Sequence, residues 1–303
     1  MSLPSHGRFE YSPITTRPDF SWPGERRLAV YIAVCIEHFS YGEGGLGLPY
    51  SPGIPHPNSY NWAWREYGNR VGGWRLLELF DQQGVTPTVL LNTACYDHCP
   101  ELVDAYRAAG TEFVAHGHTN SVHPNDLDET QEREMIRGVF ETMTEHEGRA
   151  PAGWMSPGAN PSAVTEDLLA ETGFTYTLDW PMDDQPTWMR TRGGPLLSVP
   201  YPHEVNDVPM VVLHHGTAPS FAEMMIDNLD EMVRQSELQS LVCGITIHSF
   251  IMGQPYRLRR FRQAVEHLLN IPGVWLTTPG EVATHYTSIV APETSASSAV
   301  NAE

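Results

Sequence analysis

The chain has 303 residues, 41% of them hydrophobic, enough to bury a sizeable core. Its 37 acidic residues against 18 basic ones leave a formal net charge of −19, which argues against nucleic acid as a partner because phosphate binding needs a positive face. No stretch approaches the roughly 18 uninterrupted apolar residues of a membrane span, and the opening "MSLPSHGRFEYSP" has no charged segment leading into an apolar one, so the expectation is a cytoplasmic protein with no membrane partner.

Apolar runs of strand length alternate along the chain with segments of helical period, the pattern of repeated βα units around a largely parallel sheet. The strand candidates are 28–37, 86–92, 111–117, 151–156, 174–180, 195–201, 209–215, 241–250 and 274–279. A long Gly-, Pro- and Tyr-rich loop follows the first of them, and loops of that length are usually functional. Residues 72–84, 99–110, 126–148 and 160–173 carry apolar residues at three- and four-residue spacing and end in Gly, a common helix stop. Two later segments, "SFAEMMIDNLDEMVRQSE" and "YRLRRFRQAVEHLLN", show the same spacing. No biased linker or internal repeat divides the chain, so residues 1–290 read as one barrel-like α/β domain and 291–303 as a disordered tail. The four cysteines, Cys35, Cys95, Cys99 and Cys243, suit reduced thiols, since "CYDHC" has no second pair to complete a structural zinc site.

In an α/β barrel, reactive groups project from the carboxyl ends of the parallel strands. The polar residues that close the apolar runs are Glu37 and His38, then His116, His118 and Asn120, then Trp154 and Ser156, Asp179 and Trp180, His214 and His215, and His248. A carboxylate and several imidazoles at one barrel end suit hydrolysis, in which a base activates water and an acid protonates the leaving nitrogen. A strand-end histidine taken alone is more often structural than catalytic, and only the shared face of the set changes that balance. Trp62, Trp64, Trp154, Trp180 and Trp188 lie where they could wall a flat ring or a sugar face, or simply pack the barrel end.

These residues carry a resemblance. The chain resembles the polysaccharide deacetylase (NodB-homology) superfamily, and within it the branch of cofactor-independent allantoinases and cyclic imide hydrolases. The likeness runs from about residue 9 to 287, through "PDFSWPGERRLAVYIAVCIEHF", "EFVAHGHTN", "GWMSPGANPSAVTEDLLAETGFTYTLDWPMDDQP" and "IHSFIMGQPYRLRRFRQAVEHL". It implies a distorted (β/α) barrel and hydrolysis of carbon–nitrogen bonds. Against the family's metal-dependent members, Glu37 and His38 stand where paired aspartates are usual. His116 matches the first histidine of a His-x-x-x-His motif and Asn120 replaces the second, while Met155 stands where an arginine orients the carboxylate. His248 matches the histidine that protonates the leaving group.

The resemblance therefore implies Glu37 and His248 as catalytic residues and His38, His116 and Asn120 as a degenerate metal set, holding either no cofactor or a divalent metal such as zinc. Trp154, Ser156, Trp180 and His118 are the expected substrate contacts. Without a metal, Glu37 must activate water itself, and burial is expected to raise its pKa toward neutrality. Three readings stay open: an amidohydrolase of a small cyclic ureide, imide or related amide, an N-deacetylase of amino-sugar oligomers, and a non-catalytic ligand-binding barrel. The expected partner is a small-molecule amide. By analogy with relatives the chain is expected to form a homo-oligomer, with "PYSPGIPHPNSYNWAW" as the contact segment.

Overall fold

A first strand of nine apolar or small residues, Leu28–Ile36, is buried along its whole length, as expected of a strand covered on both faces. Around it the computed structural model, which describes residues 5–43 and 57–292, builds a curled, half-barrel sheet. The strands are β1 (Leu28–Ile36), β2 (Thr88–Leu91), β3 (Glu112–Ala115), β4 (Gly153–Trp154), β5 (Tyr176–Thr177), β6 (Thr187–Thr191), β7 (Gly194–Ser198), β8 (Leu241–His248) and β9 (Val274–Leu276). Their order is β6-β7-β5-β4-β3-β2-β1-β8, with β9 also paired to β1. Every pairing is parallel except the β6–β7 hairpin. β8 runs along β1 from Leu28 to Cys35, while β9 pairs with Leu28–Val30 and β2 with Ala33–Ile36. The fold is the distorted (β/α) barrel.

The helices are α1 (Ser59–Tyr67), α2 (Gly73–Gln83), α3 (Cys95–His98), α4 (Pro100–Ala108) and α5 (Glu129–Glu147). They continue as α6 (Thr165–Thr172), α7 (Ala218–Ser236), α8 (Ser249–Met252), α9 (Pro255–Leu269) and α10 (Pro279–Ile289). Among the described residues, no helix is long and apolar enough to cross a membrane. Of the expected contact segment, residues 49–56 lie outside the described residues, as do 293–303 of the expected tail.

Strand alternation divides the core into two layers. Leu28, Val30, Ile32, Val34 and Ile36 pack outward under the helices, whereas Ala29, Tyr31, Ala33 and Cys35 face the barrel interior with Met155, Tyr176, Leu178 and Val199. The same alternation puts Cys243, Ile245 and Ile247 of β8 outward and Val242 inward.

One expected strand is corrected. Residues 209–215 are not extended: Val208–Leu213 form a π-helical stretch, and His214 and His215, expected at a strand end, are exposed beyond it. The β-branched run reads as strand locally, but Val208, Val211 and Val212 pack at helical spacing against Phe39, Phe250 and Ile251. Tertiary packing overrides β-propensity here. Strand β6 and helices α1, α3, α8 and α10 had no counterpart among the sequence expectations.

A second π-helical turn, Gly68–Gly72, joins α1 to α2. It sits against α8 at a distance only glycine permits. A Cβ on Gly68 would lie 2.4 Å from Ser249 Oγ, and one on Gly72 only 2.0 Å from the Ser249 carbonyl oxygen. This approach brings α1 to the carboxyl end of β1.

Candidate active site

Extending the alternation past the strand ends assigns the site. Position 37 continues the inward set of β1, 248 closes the inward set of β8, and 116 continues the inward set of β3, whose Val114 faces inward. Glu37, His116 and His248 are all buried there. His116 Nε2 lies 3.3 Å and His248 Nε2 3.6 Å from Glu37 Oε1, and Asn120 Nδ2 donates to the same oxygen at 3.0 Å. Glu37 Oε2 has no hydrogen-bond partner among the described residues.

Each ring is fixed from behind. His116 Nδ1 donates to the Met155 carbonyl at 2.7 Å, and the His116 carbonyl accepts from the Asn92 amide. His248 Nδ1 donates to Asp207 Oδ1 at 2.7 Å, while its backbone N–H donates to Asp207 Oδ2 at 2.9 Å. Gly117 makes the bend after β3 with φ of 70°, and a Cβ there would lie 2.4 Å from Pro157 Cγ.

The electrostatics shift Glu37 and His248 in opposite directions. Burial pushes Glu37 up, but the charge of His248 and the hydrogen bond and charge of His116, with a smaller contribution from Arg65, outweigh it and hold the carboxyl below its ordinary value. This corrects the expectation of a raised pKa. Burial opposes a charge on His248, yet Cys35, Glu37 and Asp207 outweigh it and hold the imidazole well above its ordinary value. The carboxyl is therefore biased toward its ionised form and the imidazole toward its protonated form, a separation that suits acid–base chemistry.

The expected metal set does not assemble. His38 follows Glu37 by one residue, so it leaves the strand on the opposite face and packs its ring 4.3 Å from that of His98. His116 and Asn120 reach Glu37 without it. Among the described residues, the group with ligand-like spacing is Cys35, Glu37 and His248, with candidate atoms within 4.8 Å of one another. Its chemistry does not fit a divalent metal. Burial pushes the Cys35 thiol up to about 11, and His248 bears a proton favoured by both flanking carboxylates, so an imidazolium already supplies the local positive charge.

Two of the expected substrate contacts, Trp154 and Ser156, are corrected by their full burial. Trp154 is on the outward side of β4, fully buried against Phe174 with its Nε1–H on Ser156 Oγ. Ser156 is fully buried and donates its N–H and hydroxyl to Asp179. Trp180 donates to Glu166 and packs edge-on against Phe9 and His6. His118 is exposed and hydrogen-bonds Thr93, because the left-handed Gly117 turns it away from His116.

Four residues around Glu37 were missed in the sequence: Asn61, Arg65, Asn69 and Asp207. Asn69 Nδ2 donates to the Glu37 carbonyl at 2.8 Å. The Arg65 guanidinium lies 4.2 Å from the Phe39 ring centroid, and burial lowers its pKa to about 10, partly offset by Glu37. Asn61 Oδ1, Arg65 Nη1, Asn69 Oδ1 and Asn120 Oδ1, like Glu37 Oε2, are buried without a partner among the described residues. Each such atom costs about 1–3 kcal/mol, so a concentration of them marks a place a ligand or water is meant to complete. The only trace of Asp207 in the sequence is its place in "HEVND", between the 195–201 and 209–215 strand candidates.

Residues 66–177 match the family model for polysaccharide deacetylase. A Schizosaccharomyces pombe protein assigned to the polysaccharide deacetylases is 26% identical over 89% of this chain and 92% of its own length. A solved structure of a polysaccharide deacetylase-type protein from Pseudomonas aeruginosa PAO1 superposes with a TM-score of 0.83 at 26% identity, covering 90% of this chain and 95% of that one. The structure of PuuE allantoinase gives a TM-score of 0.84 at 25% identity, covering 94% of this chain and all (100%) of the other.

Proposed function

We propose that this chain, a member of the polysaccharide deacetylase superfamily, hydrolyses a carbon–nitrogen bond other than a peptide bond in a small cyclic ureide or imide or a related amide. The observation that carries the reading is the pair at the ends of β1 and β8, with His248 Nε2 3.6 Å from Glu37 Oε1 and their protonation states held apart. Three groups engage Oε1, so Oε2 is the oxygen left to take a proton from attacking water. The water oxygen bonds to the carbonyl carbon as its proton passes to Glu37. The C–N bond then breaks and the departing nitrogen takes the proton from His248. Asp207 holds the ring for that transfer and stabilises its charge.

The similarity to PuuE allantoinase supports a ureide, and the site supports it independently. The atoms noted above as unpartnered among the described residues are four oxygens and one guanidinium nitrogen, which suits a ligand rich in N–H groups. The S. pombe relative keeps N-deacetylation of amino sugars as the rival.

The test is hydrolysis of a panel of cyclic ureides, cyclic imides and N-acetylglucosamine oligomers, with and without chelator, alongside elemental analysis of protein purified without added metal. Ureide or imide opening that resists chelator is expected. Acetate release from the oligomers alone would establish the rival, and stoichiometric metal with chelator-sensitive turnover would overturn the metal-independent mechanism.

A further inference from the structure

Asn61, Arg65 and Asn69 stand four residues apart through α1 and the π turn, a spacing that places them on one helical face. All three are nearly fully buried, at 4%, 5% and 5% exposure. Asn69 anchors that face to the Glu37 carbonyl, and Arg65 Nε donates to the Asn61 carbonyl at 3.4 Å, with the Phe39 ring beneath the guanidinium. One polar atom of each side chain is left without a partner among the described residues. The glycine contacts of Gly68 and Gly72 with Ser249 hold the face in place.

We propose that Arg65 is the electrophile of this site, its Nη1 donating to the oxygen of the scissile carbonyl while Asn61 and Asn69 accept N–H groups of a ureide. This rests on the hydrolase reading and deepens it. As the water oxygen bonds to carbon, the carbonyl electron pair moves onto the oxygen facing Arg65, and a preorganised cation there stabilises the developing charge. When that pair re-forms the carbonyl, the C–N bond breaks and the nitrogen takes its proton from His248. A guanidinium stays charged across the working pH range, so this stabilisation needs no proton transfer of its own. Ureides set carbonyls beside several N–H groups and so engage the arginine and both asparagine oxygens together. A cyclic imide or an N-acetyl group offers a single N–H.

The experiment compares wild type, Arg65→Lys, Arg65→Gln and Arg65→Ala on the ureide and imide panel, with and without millimolar guanidinium ion. It also measures calorimetrically how each binds the ring-opened ureido acid, whose carboxylate presents oxygen to the same donor. Arg65→Ala is expected to lose about 10²–10³-fold in kcat. Guanidinium should restore part of that loss while leaving wild type unchanged, and ureido-acid binding should weaken at least about tenfold, the loss of one charge-assisted hydrogen bond. A purely structural role would give no guanidinium rescue. Should Arg65→Ala fail to fold, Arg65→Gln and Arg65→Lys carry the same comparison, with Lys the milder. Variants that turn over a wild-type substrate within about threefold, well short of what an oxyanion donor supplies, overturn the role of Arg65 and leave the hydrolase reading standing. A wild type that neither hydrolyses the panel nor binds the ureido acid overturns both.

Discussion

Asp207 grips His248 twice, with Oδ1 2.7 Å from Nδ1 and Oδ2 2.9 Å from the backbone N–H. The carboxylate is fully buried and fixes both the ring's rotation and its charge. Asp207→Asn removes one of the negative charges that hold His248 above its ordinary value of 6.5. The alkaline limb of kcat/KM, where the acid loses its proton, is expected to move to lower pH by about one unit or more. A raised pKa also means that the pair's stabilisation is full below the ordinary value of 6.5 and fades as pH rises through the folded value, so the variant's melting deficit should be largest in acid. An unmoved limb would show that His248 is not the titrating acid.

Glu37 is ionised in the resting site, so the acid limb of wild-type kcat/KM is expected below its ordinary value of 4.5. Glu37→Gln is expected to lower kcat by about 10²–10⁴-fold, the range of a general base. A pH–rate profile of the wild type and single-point rates of the variant check both statements. Full activity in Glu37→Gln would remove the residue from the mechanism.

Gly72→Ala puts a methyl group 2.0 Å from the Ser249 carbonyl oxygen, closer than any relaxed contact. Backbone must move, at a cost of about 1–3 kcal/mol, and with it the segment carrying Arg65 and Asn69. Denaturant melts should register the loss of stability. Turnover should fall further than in Gly84→Ala, where open space surrounds the site and only the left-handed backbone opposes the change. Equal effects would mean that the close contact does not hold the site.

Burial, with Glu166 nearby, raises Asp179 from 3.8 to about 7, against hydrogen bonds from Ser156 and Thr177 that favour its charge. The folded state thus holds a proton that the unfolded chain releases, so stability falls as pH rises between those values, by about 1.4 kcal/mol per unit at most. Asp179→Asn should flatten that slope in melts from about pH 4 to 8, a window that spans the ordinary and the folded values. An unchanged slope would show that Asp179 is already ionised when buried.

The expected helix segments overlap α2, α4, α5, α6, α7 and α9 because amphipathic spacing is a local property, carried by each segment alone. Seven strand candidates fall similarly on β1–β5, β8 and β9, and the 195–201 candidate overlaps β7. The 209–215 run failed because Val211 and Val212 read as extended until Phe39, Phe250 and Ile251 offer them a helical face. Residues 59–72 passed as loop since their helix is polar and aromatic, with no apolar stripe.

The sequence by itself determined the chemical inventory: a carboxylate, imidazoles and an amide at strand ends, and a family resemblance carried by contiguous motifs. It could not say which of them meet. In a parallel sheet covered on both faces the strands are apolar throughout, so nothing in "LAVYIAVCIE" separates inward from outward positions. Only the packed structure sets that parity, bringing Glu37, His116 and His248 together while sending His38 and Trp154 to the other face. Asp207, Arg65 and Asn69 reach the site from segments 28 to 170 positions away from Glu37, contacts that no local pattern records.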